Sequence, residues 1–288
     1  MTVDYRQPNK RVTPDAYNIP KIEELFNSMH GSKFFTVVDL KGAFFQIPLR
    51  EEDKQYSAFS TPFGLYEFER MPQGLKSSPA QMQRVVEKCL GDCSLKEAVA
   101  YIDDIVIHAP SREECIERTI KVLTRVRDSG LKLEKEKCHF LYTTISHLGH
   151  QLSGEGICPC PSKVKEVIDW PRPNNVQQLR QWLGFCGYYR RFCKNFSKIG
   201  KPLTDLLVGS SMPRKNTSTP DERSKVRKAQ LEPFRERWTD RCEEAFLELK
   251  RMLTTVPVLG FADLSQPFEL HCDASGYGLG AVLYQEQA

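Results

Sequence analysis

The sequence predicts an α+β fold in which helices pack on one antiparallel sheet. Three features support this class: an apolar, β-branched run at residues 34–38, an apolar hairpin-like segment at residues 99–108, and amphipathic segments that begin near Ser78 and Ser111. The chain order is therefore strand, helix, hairpin, helix. Such an order is typical of helices segregated to one side of an antiparallel sheet.

Residues 34–38 (Phe-Phe-Thr-Val-Val) have the aromatic and β-branched side chains that strands favour. The first helix is predicted from its start signal. Ser78 has the character of an N-cap, Pro79 would take the first helical position, and Gln81 would complete a capping box. Apolar residues then repeat at helical spacing until Gly91, which predicts the end of the helix.

The hairpin at residues 99–108 has apolar arms around two aspartates. A second helix follows, with Ser111 and Glu114 as its capping box and Gly130 at its end. Its predicted buried face consists of Ile116, Ile120, Leu123 and Val126. Short strands are expected at residues 131–133 and 147–150.

After Gly156 the sequence becomes helical. Helices are predicted at residues 162–170 and at 176 to about 196, and the apolar stripe of the latter is Leu179, Trp182, Leu183, Cys186 and Tyr189. Residues 208–237 hold eight Lys/Arg against four Asp/Glu and few apolar residues, which predicts a flexible basic insertion. An amphipathic helix at 242–253 and a strand at 267–273 follow.

The composition is that of a globular protein. Of the 288 residues, 40% are hydrophobic and 27% charged, and the net charge is +4. These values exclude collagen-like and disordered chains and small disulfide scaffolds. No stretch approaches the roughly 20 apolar residues of a membrane-spanning helix, and residues 1–6 lack the order of a secretion signal. We therefore expect an intracellular protein without a membrane partner, in the cytoplasm or the nucleus.

The ten cysteines include no Cys-x-x-Cys pair, which predicts free thiols in a reducing compartment. One weak zinc-like group is formed by Cys138, His139, His147 and His150. It has no second cysteine at finger spacing, so ordinary packing of these side chains is the favoured alternative.

Three carboxylates have unusual sequence contexts. Asp39 ends an apolar strand, and Asp103 and Asp104 lie in the bend of an apolar hairpin. Carboxylates brought within about 4 Å of one another repel by about 1 kcal/mol in water and more in a protein, so divalent cations would stabilise such a cluster. Oxygen ligands favour Mg²⁺ or Mn²⁺, and two such ions can support phosphoryl transfer. Taken alone, however, these aspartates are better explained as a turn former and a helix cap.

The wider pattern favours the catalytic interpretation. The motifs that accompany the aspartates are, in order, residues 72–80 (Pro-Gln-Gly-Leu-Lys-Ser-Ser-Pro-Ala), 101–104 (Tyr-Ile-Asp-Asp), 130–133 with 137–140, 147–150 (His-Leu-Gly-His), 185–192 and 272–275. Together they resemble the reverse transcriptase region of gypsy-like long-terminal-repeat retrotransposons. The resemblance covers nearly the whole chain apart from the basic insertion.

The resemblance implies a polymerase palm, an antiparallel sheet with helices on one face, in an α+β protein. It also implies partial fingers, a helical thumb and the truncated α/β start of a ribonuclease H-like domain. The corresponding boundaries are 1–156 for fingers and palm, 157–207 for the thumb, 208–237 for the basic insertion, and 238–288 for a connection with the ribonuclease H-like start.

Roles for the carboxylates follow from the same resemblance. Asp39, Asp103 and Asp104 match the metal-binding catalytic triad, which implies two Mg²⁺ or Mn²⁺ ions. Asp39 and Asp103 are expected to hold both ions, and Asp104 is expected nearer the primer end. Phe44 matches the aromatic gate that would clash with a ribose 2′-hydroxyl and so favour deoxynucleotides (dNTPs).

Other matched positions concern substrates. Gln73 and Gly74 match the block that lines the nucleotide pocket and the template path. Lys137 lies where a lysine could protonate the departing pyrophosphate, although Lys132 and Lys135 leave that choice open. In the thumb-like region the basic side chains could follow the backbone of an RNA or DNA template-primer, with a solvated helix face as the equal alternative. These residues are Arg180, Arg190, Arg191, Lys194, Lys198 and Lys201.

The ends of the chain depart from the family pattern. Most of the fingers would lie before Met1, and Pro8 stands where leucine is usual, so we expect weakened nucleotide binding. Asp273 matches only the first carboxylate of a ribonuclease H site, whose other residues would lie beyond Ala288. We therefore expect no RNA hydrolysis by this chain alone.

The sequence favours an RNA-directed DNA polymerase. The alternative is a catalytically inactive, element-derived protein that only binds nucleic acid or a partner, which the departures at both ends and the basic insertion favour. A further possibility is one product of a longer pol polyprotein, whose other parts would then be partners.

Overall fold

The computed structural model describes residues 3–207, 234–255, 258–275 and 278–285. It divides into two compact units. The first unit comprises Met1–Ile145 and Gly260–Ala288, and the second unit comprises Ser146–Leu259. Of the predicted basic insertion, residues 208–233 lie outside the described residues.

The described strands are β1 (Phe34–Asp39), β2 (Phe59–Thr61), β3 (Gly64–Tyr66), β4 (Ala98–Tyr101), β5 (Asp104–Ala109), β6 (His139–Tyr142), β7 (Thr144–His147), β8 (His150–Ser153), β9 (Gly156–Pro159), β10 (Glu269–Ser275) and β11 (Gly278–Tyr284). The described α-helices are α1 (Arg6–Arg11), α2 (Ile22–Asn27), α3 (Glu51–Lys54), α4 (Ser78–Leu90), α5 (Arg112–Asp128), α6 (Pro161–Ile168), α7 (Val176–Tyr188), α8 (Phe196–Asp205) and α9 (Asp240–Thr254). Short 3₁₀ helices occupy Ala43–Gln46, Gln55–Ser57, Gly91–Cys93, Lys135–Lys137 and Arg190–Phe192.

The first unit is organised around a sheet with the strand order β4-β5-β1-β6. Its pairs are antiparallel, and β1 pairs with β5 without interruption from Phe34↔Ala109 to Asp39↔Asp104. Helices α4 and α5 pack against this sheet. The core between them includes Val38, Met82, Val86, Ile105, Ile107 and Val122. The predicted α+β class is confirmed, because the strand and helix order produces this antiparallel sheet.

Helix α4 ends at Gly91 as predicted, with a left-handed φ of 55° that glycine adopts readily. Its predicted capping box is wrong. The N-cap is Ser77, and no side chain caps the helix. Ser78 is buried, and its hydroxyl donates to the carbonyl of Pro72 at 3.1 Å. The hydroxyl therefore anchors the preceding loop and does not serve the helix start.

Helix α5 begins as predicted, because the Ser111 hydroxyl accepts a hydrogen bond from the Glu114 amide at 3.2 Å. Of its predicted buried face, Val126 is buried and Leu123 is half-buried, but Ile116 and Ile120 are exposed. The buried positions are Cys115, Thr119, Val122 and Val126. Ile120 is 60% exposed. Thr119 takes the buried position because its hydroxyl donates to the Thr36 hydroxyl of β1 at 3.2 Å.

Two predicted short strands are not formed. Residues 131–133 make only an isolated bridge, Leu133 with Leu40. At residues 147–150, Leu148 and Gly149 form the turn between β7 and β8, with φ values of 47° and 74°. Both residues are left-handed, so an extended strand cannot continue through them.

The second unit contains the three-stranded sheet β7-β8-β9 and helices α6 to α9. The long helix predicted at 176–196 ends at Tyr188 and is followed by a 3₁₀ helix and α8. The predicted stripe is largely buried: Leu179, Trp182, Cys186 and Tyr189 are inside, and Leu183 is half-buried. Trp182 packs against Trp170 and Phe246 with ring centroids 5.5 and 4.9 Å away.

The remaining predictions concern the chain as a whole. All ten cysteines are free thiols. Among the helices that the structure describes, none is long and apolar enough to cross a membrane. The strand predicted at 267–273 is observed as β10 and pairs with β11.

Candidate active site

The three predicted catalytic carboxylates lie at one end of the central sheet. Asp39 is the last residue of β1, Asp104 is the first residue of β5, and the strand register places them directly opposite each other. Asp103 lies in the turn between β4 and β5, and its carbonyl accepts a hydrogen bond from the Leu40 amide at 3.4 Å. The buried apolar residues of β1 and β5 hold both strands in place. The sheet therefore brings together residues that are 65 positions apart in the chain.

The electrostatics of this end are unfavourable for a negative charge. Burial, with the charges of Asp103 and Asp39, raises the pKa of Asp104 from 3.8 to about 6, and Lys137 opposes this shift. An ionised Asp104 is therefore stabilised by any cation that approaches the cluster.

The residues fit a hard divalent cation by their donor chemistry. Carboxylate oxygens are the ligands that Mg²⁺ and Mn²⁺ prefer, and several negative charges at one site favour a doubly charged ion. Within the described ranges, however, no group of three or more His, Cys, Asp or Glu residues is arranged to hold a metal ion. That finding includes the weak zinc-like group of Cys138 and the three histidines, which the structure does not bring together as a metal site.

Lys137 is the candidate lysine that reaches this cluster. It ends the 3₁₀ helix Lys135–Lys137, and its Nζ lies 3.5 Å from Oδ1 of Asp39. Asp39 is largely buried, whereas Lys137 is mostly exposed. The sequence left the choice open among Lys132, Lys135 and Lys137. In the described part of the chain, Lys137 contacts a predicted catalytic carboxylate.

Phe44 lies in the 3₁₀ helix Ala43–Gln46, which follows β1 after the left-handed Gly42. Its ring is half-buried and packs against the core of the first unit. The sheet and the core thus fix the turn that carries Phe44 five residues after Asp39.

Gln73 and Gly74 lie in the exposed loop before α4. Gly74 has a φ of 96°, and a Cβ there would lie 3.4 Å from the Tyr5 ring, so both its conformation and its surroundings favour glycine. The side chain of Asn9 braces this loop by donating to the Gly74 carbonyl and accepting from the Lys76 amide, each at 2.8 Å.

Gln83, a buried glutamine of α4, is a site residue that was not predicted from the sequence. Its Nε2 donates to the Ala100 carbonyl at 3.0 Å, and its Oε1 accepts from the Ile102 amide at 2.7 Å. Ile102 has a left-handed φ of 60°, a strained conformation for a β-branched residue. Gln83 therefore braces the strained turn that carries Asp103. A polar residue within the buried stripe of a helix is a sequence signal for a buried hydrogen bond, but it does not identify the partner.

The predicted nucleic-acid contacts lie in the second unit. Arg190 and Arg191 belong to the 3₁₀ helix after α7, and Lys194 follows it. Arg190 and Lys194 are exposed, and the Arg191 guanidinium lies 5.6 Å from the ring centre of Phe192. Asp273, the residue matched to a ribonuclease H site, is described by its backbone alone. It lies in β10 and pairs with Gly280.

Comparison with protein families gives two matches. A model described as reverse transcriptase (RNA-dependent DNA polymerase) matches residues 1–152, and one described as an RNase H-like domain found in reverse transcriptase matches residues 238–288.

Curated relatives match over almost the entire chain. The retrovirus-related Pol polyprotein from transposon 297 of Drosophila melanogaster is 36% identical over 285 residues, which is 99% of this chain and 25% of the relative. The transposon Tf2-3 polyprotein of Schizosaccharomyces pombe is 33% identical over 286 residues, 99% of this chain and 20% of the relative. The chain thus spans about a quarter or less of the length of these relatives.

Solved structures share the fold. A foamy viral protease-reverse transcriptase in complex with double-stranded DNA superposes with a TM-score of 0.78 at 21% identity, over 98% of this chain and 46% of that one. The same kind of protein in complex with an RNA/DNA hybrid gives a TM-score of 0.76 at 19% identity, over 99% of this chain and 38% of that one.

Proposed function

Because the chain belongs to the reverse transcriptase family, we propose that it carries out RNA-directed DNA polymerisation. The substrates would be dNTPs and a primer annealed to an RNA or DNA template. The observation that carries this proposal is the register of β1 and β5, which sets Asp39 opposite Asp104 with Asp103 in the adjoining turn.

Asp39, Asp103 and Asp104 would hold two Mg²⁺ or Mn²⁺ ions. Such ions, when bound, supply charge neutralisation for the attacking primer hydroxyl and for the departing pyrophosphate. The protein itself contributes position and charge. Asp39 and Asp104 are fixed by the sheet, so their carboxylates need little reorganisation. Lys137 holds a proton beside Asp39 and is suited to deliver it to the leaving pyrophosphate.

The other matched residues would orient the substrates. Phe44 would lie under the sugar and reject a ribose 2′-hydroxyl, and Gln73 and Gly74 would line the nucleotide pocket. Arg190, Arg191 and Lys194 would contact the phosphate backbone, in a manner that depends on salt and not on sequence. Asp273 would contribute one carboxylate to a ribonuclease H site.

The same proposal assigns the domains. Residues 1–156 would form the partial fingers and the palm, 157–207 the thumb, and 238–288 the connection and ribonuclease H-like start, with the basic insertion at 208–237. In the curated relatives such a region is part of a longer polyprotein. Other parts of a pol polyprotein would then be partners of this chain.

Primer extension on an RNA template with Mg²⁺ and dNTPs tests the proposal. The chain should extend the primer, and an Asp103→Asn/Asp104→Asn variant should lose extension without losing the fold. Asp128→Asn, which alters an exposed carboxylate at the end of α5, is the matched control and should extend normally. A folded chain that binds an RNA:DNA duplex without extending any primer would instead support the binding-only alternative.

A further inference from the structure

Gln46 ends the 3₁₀ helix that carries Phe44, and its side-chain amide makes three hydrogen bonds. Nε2 donates to the carbonyls of Lys41 and Lys132 at 2.7 and 2.9 Å, and Oε1 accepts from the Lys132 amide at 2.7 Å. Gln46 and Lys132 are 86 positions apart in the chain. An amide that bonds both the backbone N–H and the backbone carbonyl of one residue pairs with it as a neighbouring strand residue would.

These bonds extend an existing contact between two backbone segments. The Lys41 amide donates to the Lys132 carbonyl at 2.9 Å, and the Glu134 amide donates to the Asp39 carbonyl, also at 2.9 Å. Segment 132–134 therefore runs beside the residues that follow β1. Gln46 closes the end of this contact where the chain turns towards Phe44.

A second element holds the same residue from its backbone. The guanidinium of Arg70 donates to the Gln46 carbonyl at 2.9 Å. The turn is thus tied to segment 132–134 by the Gln46 side chain and to the Arg70 segment by its backbone. The side-chain bonds add to the backbone bonds of Asp39 and Lys41 with this segment, which leads into Lys137.

We propose that Gln46 is a positioning residue for sugar discrimination. Its amide fixes the turn that carries Phe44 against segment 132–134, so that the Phe44 ring cannot retreat from a ribose 2′-hydroxyl. This inference rests on the proposed polymerase function and on the gate assignment of Phe44, and it adds a residue that does not itself touch the nucleotide.

The chemistry of the site specifies an amide. Glutamate has nearly the same shape as glutamine, but an ionised carboxylate has no donor for the carbonyls of Lys41 and Lys132. In Gln46→Glu an acceptor would face two acceptors, so the hydrogen bonds to the carbonyls of Lys41 and Lys132 would be lost and the turn would be held less firmly against segment 132–134. Gln55 offers a matched control, because it is an exposed glutamine whose Nε2 donates to the nearby Glu52 carbonyl at 3.0 Å.

The test is single-nucleotide extension of a primer by the chain and by its Gln46→Glu, Gln55→Glu and Phe44→Ala variants. The measured quantity is the ratio of kcat/KM for a dNTP to that for the matching ribonucleotide. Gln46→Glu should lower this ratio by about tenfold, since small displacements of positioning groups change rates by such factors. Gln55→Glu should leave the ratio unchanged, and Phe44→Ala should lower it at least as far as Gln46→Glu does.

The outcomes distinguish a failure of the Gln46 proposal from a failure of the proposed polymerase function. A lowered ratio in Phe44→Ala with an unchanged ratio in Gln46→Glu would overturn the role of Gln46 alone. No extension by the unaltered chain would overturn the proposed function and this inference with it. Amide hydrogen exchange of residues 131–134 provides a readout that needs no activity. Exchange should accelerate in Gln46→Glu and not in Gln55→Glu. Equal protection of these amides in the two variants would refute the proposed role of the Gln46 side chain.

Discussion

Replacing Asp104 by asparagine is expected to stabilise the first unit at neutral pH while removing primer extension. Asp104 begins β5 opposite Asp39, with Asp103 beside it in the chain. Burial and these two neighbouring charges raise its pKa from 3.8 to about 6. Asparagine keeps the size of the side chain and removes the charge that the site opposes.

The magnitude follows from the displacement of the pKa. A displacement of about two pH units corresponds to about 3 kcal/mol between the ionised and neutral forms. Solvent reaches part of the Asp104 side chain, and screening reduces the effect, so we expect about 1–2 kcal/mol.

The pH dependence has a definite sign. Between the unfolded pKa of 3.8 and the folded pKa of about 6, the folded state binds more protons than the unfolded state. The free energy of unfolding therefore falls as the pH rises through this window, and the loss is complete above it. Near pH 3.5, Asp104→Asn and the unaltered chain should have the same free energy of unfolding. Near pH 7.5, that of Asp104→Asn should be higher by the full difference of about 1–2 kcal/mol.

The assay must report on the first unit. All three tryptophans, Trp170, Trp182 and Trp238, lie in the second unit, so their fluorescence follows the wrong unit. Urea titrations monitored by hydrogen exchange of residues 104–109 measure the opening of β5 directly. Asp128→Asn serves as the control at both pH values. Equal stability of Asp104→Asn and the unaltered chain at pH 7.5, or a difference that does not change with pH, would refute the electrostatic account.

Three further predictions concern other residues. Gln83→Leu should destabilise the first unit by about 1–3 kcal/mol in the same exchange assay, because it leaves the Ile102 amide without its acceptor. Lys137→Met should slow single-turnover extension by about 100-fold, with almost no change in stability, because the proposed general acid is lost and an exposed ion pair contributes little. His147, whose pKa burial lowers to about 4, should make the second unit lose stability as the pH falls from 6.5 towards 4, and His147→Gln should reduce that loss as followed by tryptophan fluorescence.

Each of these predictions has a result that would contradict it, and the lysine prediction also has a control within the chain. Lys41 forms an exposed ion pair with Glu134 at the same 3.5 Å separation as Lys137 with Asp39, so Lys41→Met should extend primers normally. Equal slowing by both lysine variants would remove the special role of Lys137. An unchanged free energy of unfolding in Gln83→Leu would show that the turn does not depend on that glutamine. An acid response that is unaltered in His147→Gln would assign the titration to another group.

Strand β1 and the start of α5 could be predicted because their causes are local. Residues 34–38 favour a strand by composition, and the Ser111 cap acts within its own helix turn. The buried face of α5 could not be predicted, because Thr119 is buried by a hydrogen bond to Thr36, 83 residues away. The strand expected at 147–150 failed because Leu148 adopts a left-handed turn conformation that its residue type disfavours.

In the candidate site, too, features with local causes could be predicted and features that depend on distant contacts could not. The carboxylates could be proposed as a site from their apolar surroundings and from the resemblance, since both are visible in the sequence. The two glutamines that brace the site could not, because a glutamine at position 46 or 83 reveals its role only when its partners at 132 and 102 are near it in space. Phe44 could be matched to a gate, but the bonds that hold its turn depend on the tertiary fold.

The opposition of Asp39 and Asp104 has a consequence for how the gene can change. Side chains alternate between the two faces of a strand, so gaining or losing one residue within 34–38 would turn Asp39 to the other face or break its pairing with Asp104. Such a length change would have the effect of a catalytic mutation, although every aspartate would remain in the translated sequence. Related chains that retain the activity should therefore vary in length at loops and keep the number of residues in β1 and β5 constant.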